Sequence, residues 1–598
     1  MTWIPSDKPA VTLADSKLEE MSKNERIKAA SEGLFFVSDG KTIHTFADEL
    51  DALTRGEAET ISGEAKELSK FFGIYRQQIR GERGRKTGEH VFMVRIKCPA
   101  GGELTAKQWA ALDDAAEQFA DGTLRVTSRQ GIQYHYVRGT QLAKLVRHLN
   151  RHYRDEATLS ACGDVNRNVM ASPVDGLMGP GDPRGRELSE ALADALAPKS
   201  SSYFQVFLSD DVGRSVKPMN SDEPLYGKQY LPRKFKIGIA HPDDNSVDVL
   251  TQDVGLVPIL VAGTADGSLF DLYSGGGLGQ THNNDQTAPL LGILLGRIER
   301  DQVIDAVRAI ATLQKEHGER RDRRLARWKY TIRRLGLDRV KRELREHFSI
   351  RLQDVASQPI PPGRLHLGFG DAIDGTSYYG ISIENGRIKP DVRRGIRAAV
   401  ETLGLGVRMT PHQDVVLTGV RDRAALLAIL GTHGVARPDA VSRVRSLGIA
   451  CPAKPTCGLA MTDAENILPH YFDALEAAGL GDVDLEVRMT GCPNNCARPP
   501  SAEIGIFGYG KNDHVILAGG SRRGTRLASV LYERVSEEQM VPALVGLFRA
   551  VKQRCPAGTP PGDWIAATAF EQLRTWIGPL LESGGAPFLR DPFEPPVE

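Results

Sequence analysis

Between Val94 and His135 the alternation of apolar and polar positions predicts a strand, a glycine turn, a helix and a second strand. Val94-Arg-Ile-Lys97 alternates, Gly101-Gly102 interrupts, Leu104 to Ala120 has helical periodicity, and Leu124-Arg-Val-Thr-Ser-Arg-Gln130 leads into Ile132-Gln-Tyr-His135. About 280 residues later the pattern returns as Tyr379-Gly-Ile-Ser-Ile383, Gly386, a helix from Asp391 to Leu403, and Val407-Arg-Met-Thr-Pro-His-Gln413. Arg125-x-Thr127-x-x-Gln130 aligns with Arg408-x-Thr410-x-x-Gln413. Each copy is followed by a related stretch, Ser160-Ala-Cys162 and Ile449-Ala-Cys451, and later by a glycine turn, Gly275-Gly-Gly277 or Gly519-Gly520. The chain therefore reads as a duplication with two pseudo-symmetric halves and a site where they meet. Two independent halves in tandem is the alternative, with a proteolytic cut near residue 362. Ahead of the first copy, a polar segment with a helix expected over Ala14 to Glu32 closes on Phe71-Phe72-Gly-Ile-Tyr75, as an arm laid against the body.

A chain of 598 residues is too long for one core, so three or four domains are expected. Its 76 basic and 76 acidic side chains balance, which leaves no global pull toward nucleic acid or acidic membranes. Any anion site must be local. Nothing in the sequence approaches a membrane span, and Met1-Thr-Trp-Ile-Pro lacks a signal-peptide core, so the expected compartment is the cytoplasm.

Four of the seven cysteines change the picture. Cys451-x5-Cys457 and Cys492-x3-Cys496 are two short pairs in loop-forming contexts rich in Pro, Gly and Asn. Two such pairs can deliver four thiolates to an iron–sulfur cluster. A structural zinc is the alternative, although zinc pairs usually keep two to four residues between ligands. Disulfides fit poorly with an odd cysteine count in a chain of cytosolic type.

These cysteine pairs, Asn166-Arg167-Asn168, and Leu231-Pro-Arg-Lys234-Phe-Lys236 together resemble the signature set of the sulfite/nitrite reductase family. The resemblance covers roughly residues 70 to 590. It implies a mixed α+β and α/β chain with a pseudo-two-fold duplicated fold. Two ferredoxin-like half repeats would form a central domain, flanked by two α/β domains around sirohaem. The corresponding segments are an arm (1–88), the first half repeat (89–157), an α/β domain (158–362), the second half repeat (363–437) and a cluster-bearing α/β domain (438–598).

The resemblance also implies the cofactors, sirohaem and a [4Fe–4S] cluster, and the residues around them. Cys451, Cys457, Cys492 and Cys496 would hold the cluster, with Cys496 bridging to the sirohaem iron. Arg125, Arg129, Gln133, His135, Arg233, Asn494 and Asn495 would contact sirohaem, whose many carboxylates call for fixed cations and donors. Arg95, Arg167, Lys234 and Lys236 would face the substrate anion: arginines hold it as permanent charges, and a lysine can also give up a proton. Nitrite-preferring relatives tend to carry asparagine where this chain has Lys236, which favours sulfite, with nitrite as the runner-up. Tyr75 and Cys162 match a pair described as covalently joined in some ferredoxin-dependent relatives; a packed tyrosine beside a buried cysteine is the alternative.

Two features are set aside. Gly275-Gly-Gly-Leu-Gly279 has neither a Walker lysine nor G-x-G-x-x-G spacing, so a tight turn is expected rather than a phosphate cradle. Arg320 to Arg345 carries twelve Lys/Arg against three acids and could suit a zinc-stabilised nucleic-acid binder. With zero net charge, a solvated helix offering Arg323 and Lys329 to cofactor carboxylates, or a docking face, is expected instead. No flavin or nicotinamide fingerprint appears, so the electron donor is external. Tyr75, Cys162 and Cys457-Gly-Leu-Ala-Met461 look more like the branch served by reduced ferredoxin, with a haemoprotein subunit fed by an NADPH flavoprotein as the alternative, and a monomer is expected.

Overall fold

Backbone hydrogen bonds join the two half repeats into one unit. In the computed structural model, which describes residues 46–80, 86–177, 184–199, 224–227, 230–260 and 267–578 and a few isolated positions, each repeat builds an antiparallel sheet. The first sheet runs in the order Arg387–Ile388, Leu124–Val126, Ile132–Val137, Lys86–Ile96, Ile74–Arg80. Its outer strand Arg387–Ile388 belongs to the second repeat, pairing with Arg125 and Leu124. Leu104 of the first repeat returns the exchange by bridging to Val407. Cutting near residue 362 would take an outer strand from the first sheet and a bridge from the second, so the halves are not independent.

The helices Ala106–Phe119 and Pro390–Leu403 pack beside the exchange. Thr105 and Gln108 close the first with a reciprocal capping box, and Pro390 opens the second at a position needing no N–H donor. Arg393 donates to the Asp113 carbonyl at 2.7 Å, tying one helix to the other. The arm differs from expectation: its strand Ile74–Arg80 is the edge of the first sheet, and its pairing extends the neighbouring strand back to Lys86. A boundary at 88 therefore falls inside a strand. The helix expected over Ala14 to Glu32 lies almost wholly outside the described residues.

The two α/β domains repeat one topology. In the first, Met170–Ala171, Ile237–Ile239 and Val254–Pro258 run parallel, then Leu269–Ser274 and Ile293–Glu299 turn antiparallel. In the second, Ile449–Ala450, Val487–Thr490 and Ile504–Gly508 are parallel, and Asp513–Ala518 and Ser529–Ser536 antiparallel. The glycine turns coincide as well. Gly275 (φ 85°) donates to the Asp253 carbonyl at 3.0 Å and Gly519 (φ 86°) to that of Glu503 at 2.9 Å. A Cβ on Gly276 or Gly520 would lie 2.1 Å from a facing carbonyl oxygen, which only glycine avoids.

Sheet register corrects one sequence alignment. The strand before Cys451 corresponds to Met170–Ala171 rather than to Ser160-Ala-Cys162, because Met170 faces Gly238 as Ile449 faces Arg488. The shared Ala-Cys was a local coincidence. The basic run is not one helix either. It is irregular to Arg327, helical over Trp328–Leu335, broken at Gly336 (φ 83°), and helical again over Leu337–Arg342. No helix among the described residues is long and apolar enough to cross a membrane. One apolar core runs through the arm, both half repeats and the first α/β domain; the second keeps its own around Phe472, Val487, Leu544 and Phe548.

Candidate active site

Parallel strands point their carboxyl ends at a crevice, and both cysteine pairs start there. Cys451 directly follows Ile449–Ala450, and Cys492 follows Val487–Thr490 after one glycine. The loops are stitched together: Met461 N–H donates to the Gly491 carbonyl at 2.7 Å, and Gly491 N–H points to Cys451 Sγ at 3.4 Å. Gly491 is required, since a Cβ there would sit 2.5 Å from the Thr462 carbonyl. Asn494 Nδ2 approaches Cys492 Sγ at 3.5 Å. Cys451 and Cys492 are buried, Cys457 is half-buried and Cys496 is exposed. Burial pushes the Cys451 thiol well up, and Cys496, Cys492 and Cys457 push it further, so the four sulfurs share one neighbourhood. Among the described residues no three His, Cys, Asp or Glu groups converge closely enough to clasp a single metal ion.

Three domains meet at the last cysteine pair. Asn495 Nδ2 donates to the Leu278 carbonyl at 2.8 Å, Gln280 N–H to that of Pro493 at 2.9 Å, and Ser128 Oγ to that of Cys496 at 2.9 Å. Around this junction lies a cluster of cations. Lys234 and Lys236 flank Phe235 just before the strand Ile237–Ile239, and among the described residues neither ammonium has a hydrogen bond or ion pair. Burial pulls both well below the usual lysine range. Next in effect are Lys236 on Lys234 and Arg129 on Lys236, with Arg327 acting on both. Arg129 donates to Gln252 at 2.7 Å and to the Asn168 carbonyl at 2.5 Å, while its Nε is buried without a partner. Arg95 Nη1 points to Cys162 Sγ at 3.1 Å. The Tyr75 hydroxyl is in hydrogen-bond contact with Cys162 and Arg167, and burial pushes its pKa up to about 12. Arg167 Nε also holds the Gly163 carbonyl at 3.0 Å.

Other expected contacts are spent within the protein. Arg125 gives Nε to Glu465 at 2.9 Å, Nη2 to the Ala450 carbonyl at 2.8 Å, and Nη1 to Gln133 at 3.4 Å. It clamps the residue before Cys451. Lys329 is fully buried on the carbonyls of Gly277, Gly279 and Ala288, so it holds the glycine loop instead of offering a free charge. Arg323 pairs with Asp164 at 2.8 Å, and Arg233 lies 3.8 Å from the same carboxylate. His135 is buried with both ring nitrogens unpartnered. Burial, then Arg387, Arg125 and Arg95, keep it neutral.

Sequence reasoning missed the acids and arginines that lock this frame. Glu465 bridges Arg125 and Arg387, which come from different half repeats. Arg327 meets both oxygens of Asp253 at 3.1 Å with both residues buried, and Arg498 joins Asp248 at 3.1 Å and the Pro411 carbonyl at 2.9 Å. No motif surrounds Glu465. Arg327 lies inside the basic run and Arg498 two residues beyond Cys496, so position alone offered a hint.

Paired strand-exchanged half repeats, twin α/β domains, and cysteine loops opposed to half-buried cations define a redox-enzyme architecture made by duplication. The family model described as the nitrite and sulphite reductase 4Fe-4S domain matches residues 162–352, and the nitrite/sulfite reductase ferredoxin-like half domain matches 83–152 and 371–431. Similar proteins include the sulfite reductase [NADPH] hemoprotein beta-component of Staphylococcus saprophyticus, 34% identical over 93% of this chain and 97% of its own length. The sulfite reductase [ferredoxin] of Synechococcus elongatus is 35% identical over 93% of this chain and 91% of its own. The structure of Mycobacterium tuberculosis NirA protein superposes with a TM-score of 0.71 at 22% identity, covering 88% of this chain and 95% of that one, and so shares the fold. The chain belongs to the nitrite and sulfite reductase family. Its first matched model falls on the α/β domain carrying the cations, whereas the four cysteines sit in the pseudo-equivalent domain.

Proposed function

We propose that this protein is a sulfite reductase carrying out the six-electron reduction of sulfite to sulfide with sirohaem and a [4Fe–4S] cluster, fed by reduced ferredoxin. The observation that carries this reading is the pair Lys234 and Lys236, two cations without partners among the described residues, beside the Cys496 loop. Two unneutralised, half-buried cations side by side repel one another, and a bound dianion relieves that repulsion.

The residues present fit a polycarboxylate macrocycle. The orphaned Arg129 Nε and His135 ring nitrogens are buried donors or acceptors awaiting a partner, and Arg129, Arg233, Gln133, His135, Asn494 and Asn495 would line it. Arg125, Arg323 and Lys329 would act from behind, fixing the loops that line the pocket. Cys451, Cys457, Cys492 and Cys496 would hold the cluster. When bound, the two groups supply the iron that receives substrate sulfur and the path for electrons.

The chain's own residues do the rest. Arg95 and Arg167 keep permanent charge and orient the substrate oxygens. Lys234 and Lys236 regain full charge when the dianion arrives, which places a proton beside two of its three oxygens. Tyr75, Cys162 and Arg167 form one wall, and we propose that Tyr75 and Cys162 are joined by a carbon–sulfur bond formed when an external two-electron oxidant such as dioxygen takes one hydrogen from each; two separate intact peptides in a mass spectrum would dispose of this link alone. Turnover of sulfite and nitrite, measured side by side with a reduced viologen dye, tests the substrate. Higher kcat/KM for sulfite is expected, and a preference for nitrite overturns the assignment. Relatives of both donor types match the chain. Ferredoxin coupling that weakens with salt, with none from NADPH plus a flavoprotein, is the expected donor result.

A further inference from the structure

The pseudo-two-fold axis that relates the α/β domains carries the cation site to a second place, and there the charges invert. By strand register Lys234 and Lys236 correspond to Asp484 and Glu486, since Ile237 faces Val254 as Val487 faces Ile504. Arg129 corresponds to His412 through the matched Arg-x-Thr turns. A cavity of about 260 Å³ lies at this counterpart, lined by Arg364, His412, Arg443, Glu486, Arg488 and Arg522.

Its floor and mouth differ in what they leave unpaired. Glu486 is 2% exposed; Oε1 accepts from Arg488 at 2.8 Å and lies 3.4 Å from His412 Nε2, but Oε2 has no partner. His412 Nδ1 is likewise buried and unpartnered. At the mouth Arg443 and Arg522 share Asp484, Arg522 also reaches Glu503 at 2.7 Å, and among the described residues the exposed Arg364 side chain has no partner. The balance left to a guest is one free cation outside and one unsatisfied carboxylate oxygen within.

We propose that this cavity is a second, non-catalytic ligand site for a small α-amino carboxylate, its carboxylate on Arg364 and its ammonium toward Glu486. A dianion would meet the floor carboxylate, and a simple amine would meet the arginines at the mouth. The volume equals that of roughly nine waters, at about 30 Å³ each, which admits a molecule the size of serine.

Calorimetric titration of the cofactor-loaded full chain with L-serine, succinate and ethylamine tests this. Saturable binding of serine alone is expected, weakened at least tenfold by Glu486→Gln and by Arg364→Ala, and unchanged in Lys236→Ala. Arg364 is exposed, so its variant keeps the test valid if Glu486→Gln fails to fold. No saturable serine binding, equal binding of succinate or ethylamine, indifference to Arg364→Ala, or loss in Lys236→Ala would each overturn the proposal.

Discussion

The two α/β domains share strand order, glycine turns and a buried acid before each turn, Asp253 in one and Glu503 in the other, yet their loops carry opposite chemistry. Where the second domain has Cys451 and Cys492, register puts Ser172 and Pro242 in the first. Where the first has Lys234 and Lys236, the second has Asp484 and Glu486. Duplication supplied one scaffold twice, and the copies differ in what they bring to the junction: cysteines on one face, cations on the other. Chemistry resides in loops grafted on a fold, and the pair demonstrates it within one chain.

The sharpest way to break this division is at the thiolates. Cys492→Ser should remove visible absorption from the cluster and abolish sulfite turnover, a loss of more than about 10³-fold, since a hydroxyl is a poor ligand for iron in such a cluster. The equivalent Pro242→Ser should leave the colour intact. Next comes the charge inversion. Lys236→Glu gives the first domain its partner's residue, and kcat/KM for sulfite should fall by about 10² or more, as for loss of a preorganised group that stabilises developing charge. Retained activity would remove Lys236 from the substrate site.

A third comparison concerns stability. Asp253 is fully buried on Arg327, so Asp253→Ala leaves an uncompensated guanidinium and should cost about 3–5 kcal/mol in denaturant unfolding. Glu503→Ala should cost less, because Arg522 keeps Asp484 at 2.8 Å and is more exposed. Equal losses would mean that the N–H groups of Glu486 and Gly562, which also donate to Glu503, make up the difference.

Much of this was legible in the sequence because it is written in local pattern. The repeated Arg-x-Thr-x-x-Gln turn located the half repeats, and cysteine spacing located the thiolate loops. The strand exchange was not legible, since Arg387–Ile388 is two residues long and pairs with partners more than 260 positions away. Arg125 and Lys329 were read as free charges because their partners are carbonyls and a distant Glu465, none of which leaves a motif. The false match of Cys162 to Cys451 shows that a two-residue identity is weaker than register.

The smallest expected effect, under about 3 kcal/mol between pH 6 and pH 8, lies in the central repeats, where the matched turns differ at one position. Thr127 and Thr410 both receive the N–H four residues on, from Gly131 at 3.1 Å and from Asp414 at 3.0 Å. Gly131 has no side chain, whereas Asp414 is buried and accepts from Ile383 N–H at 2.8 Å; burial raises its pKa to about 8. A folded value above the unfolded one, about 3.9, means that the carboxyl stabilises the fold fully only in acid and loses this contribution as pH rises toward 8. Over that window the limiting slope is roughly 1.4 kcal/mol per pH unit. Asp414→Asn keeps an acceptor for Ile383 and removes the titration, so this part of the slope should vanish and the variant should be the more stable at pH 8. Chemical unfolding at pH 6 and pH 8 measures this, and an unchanged slope in the variant would place the proton elsewhere.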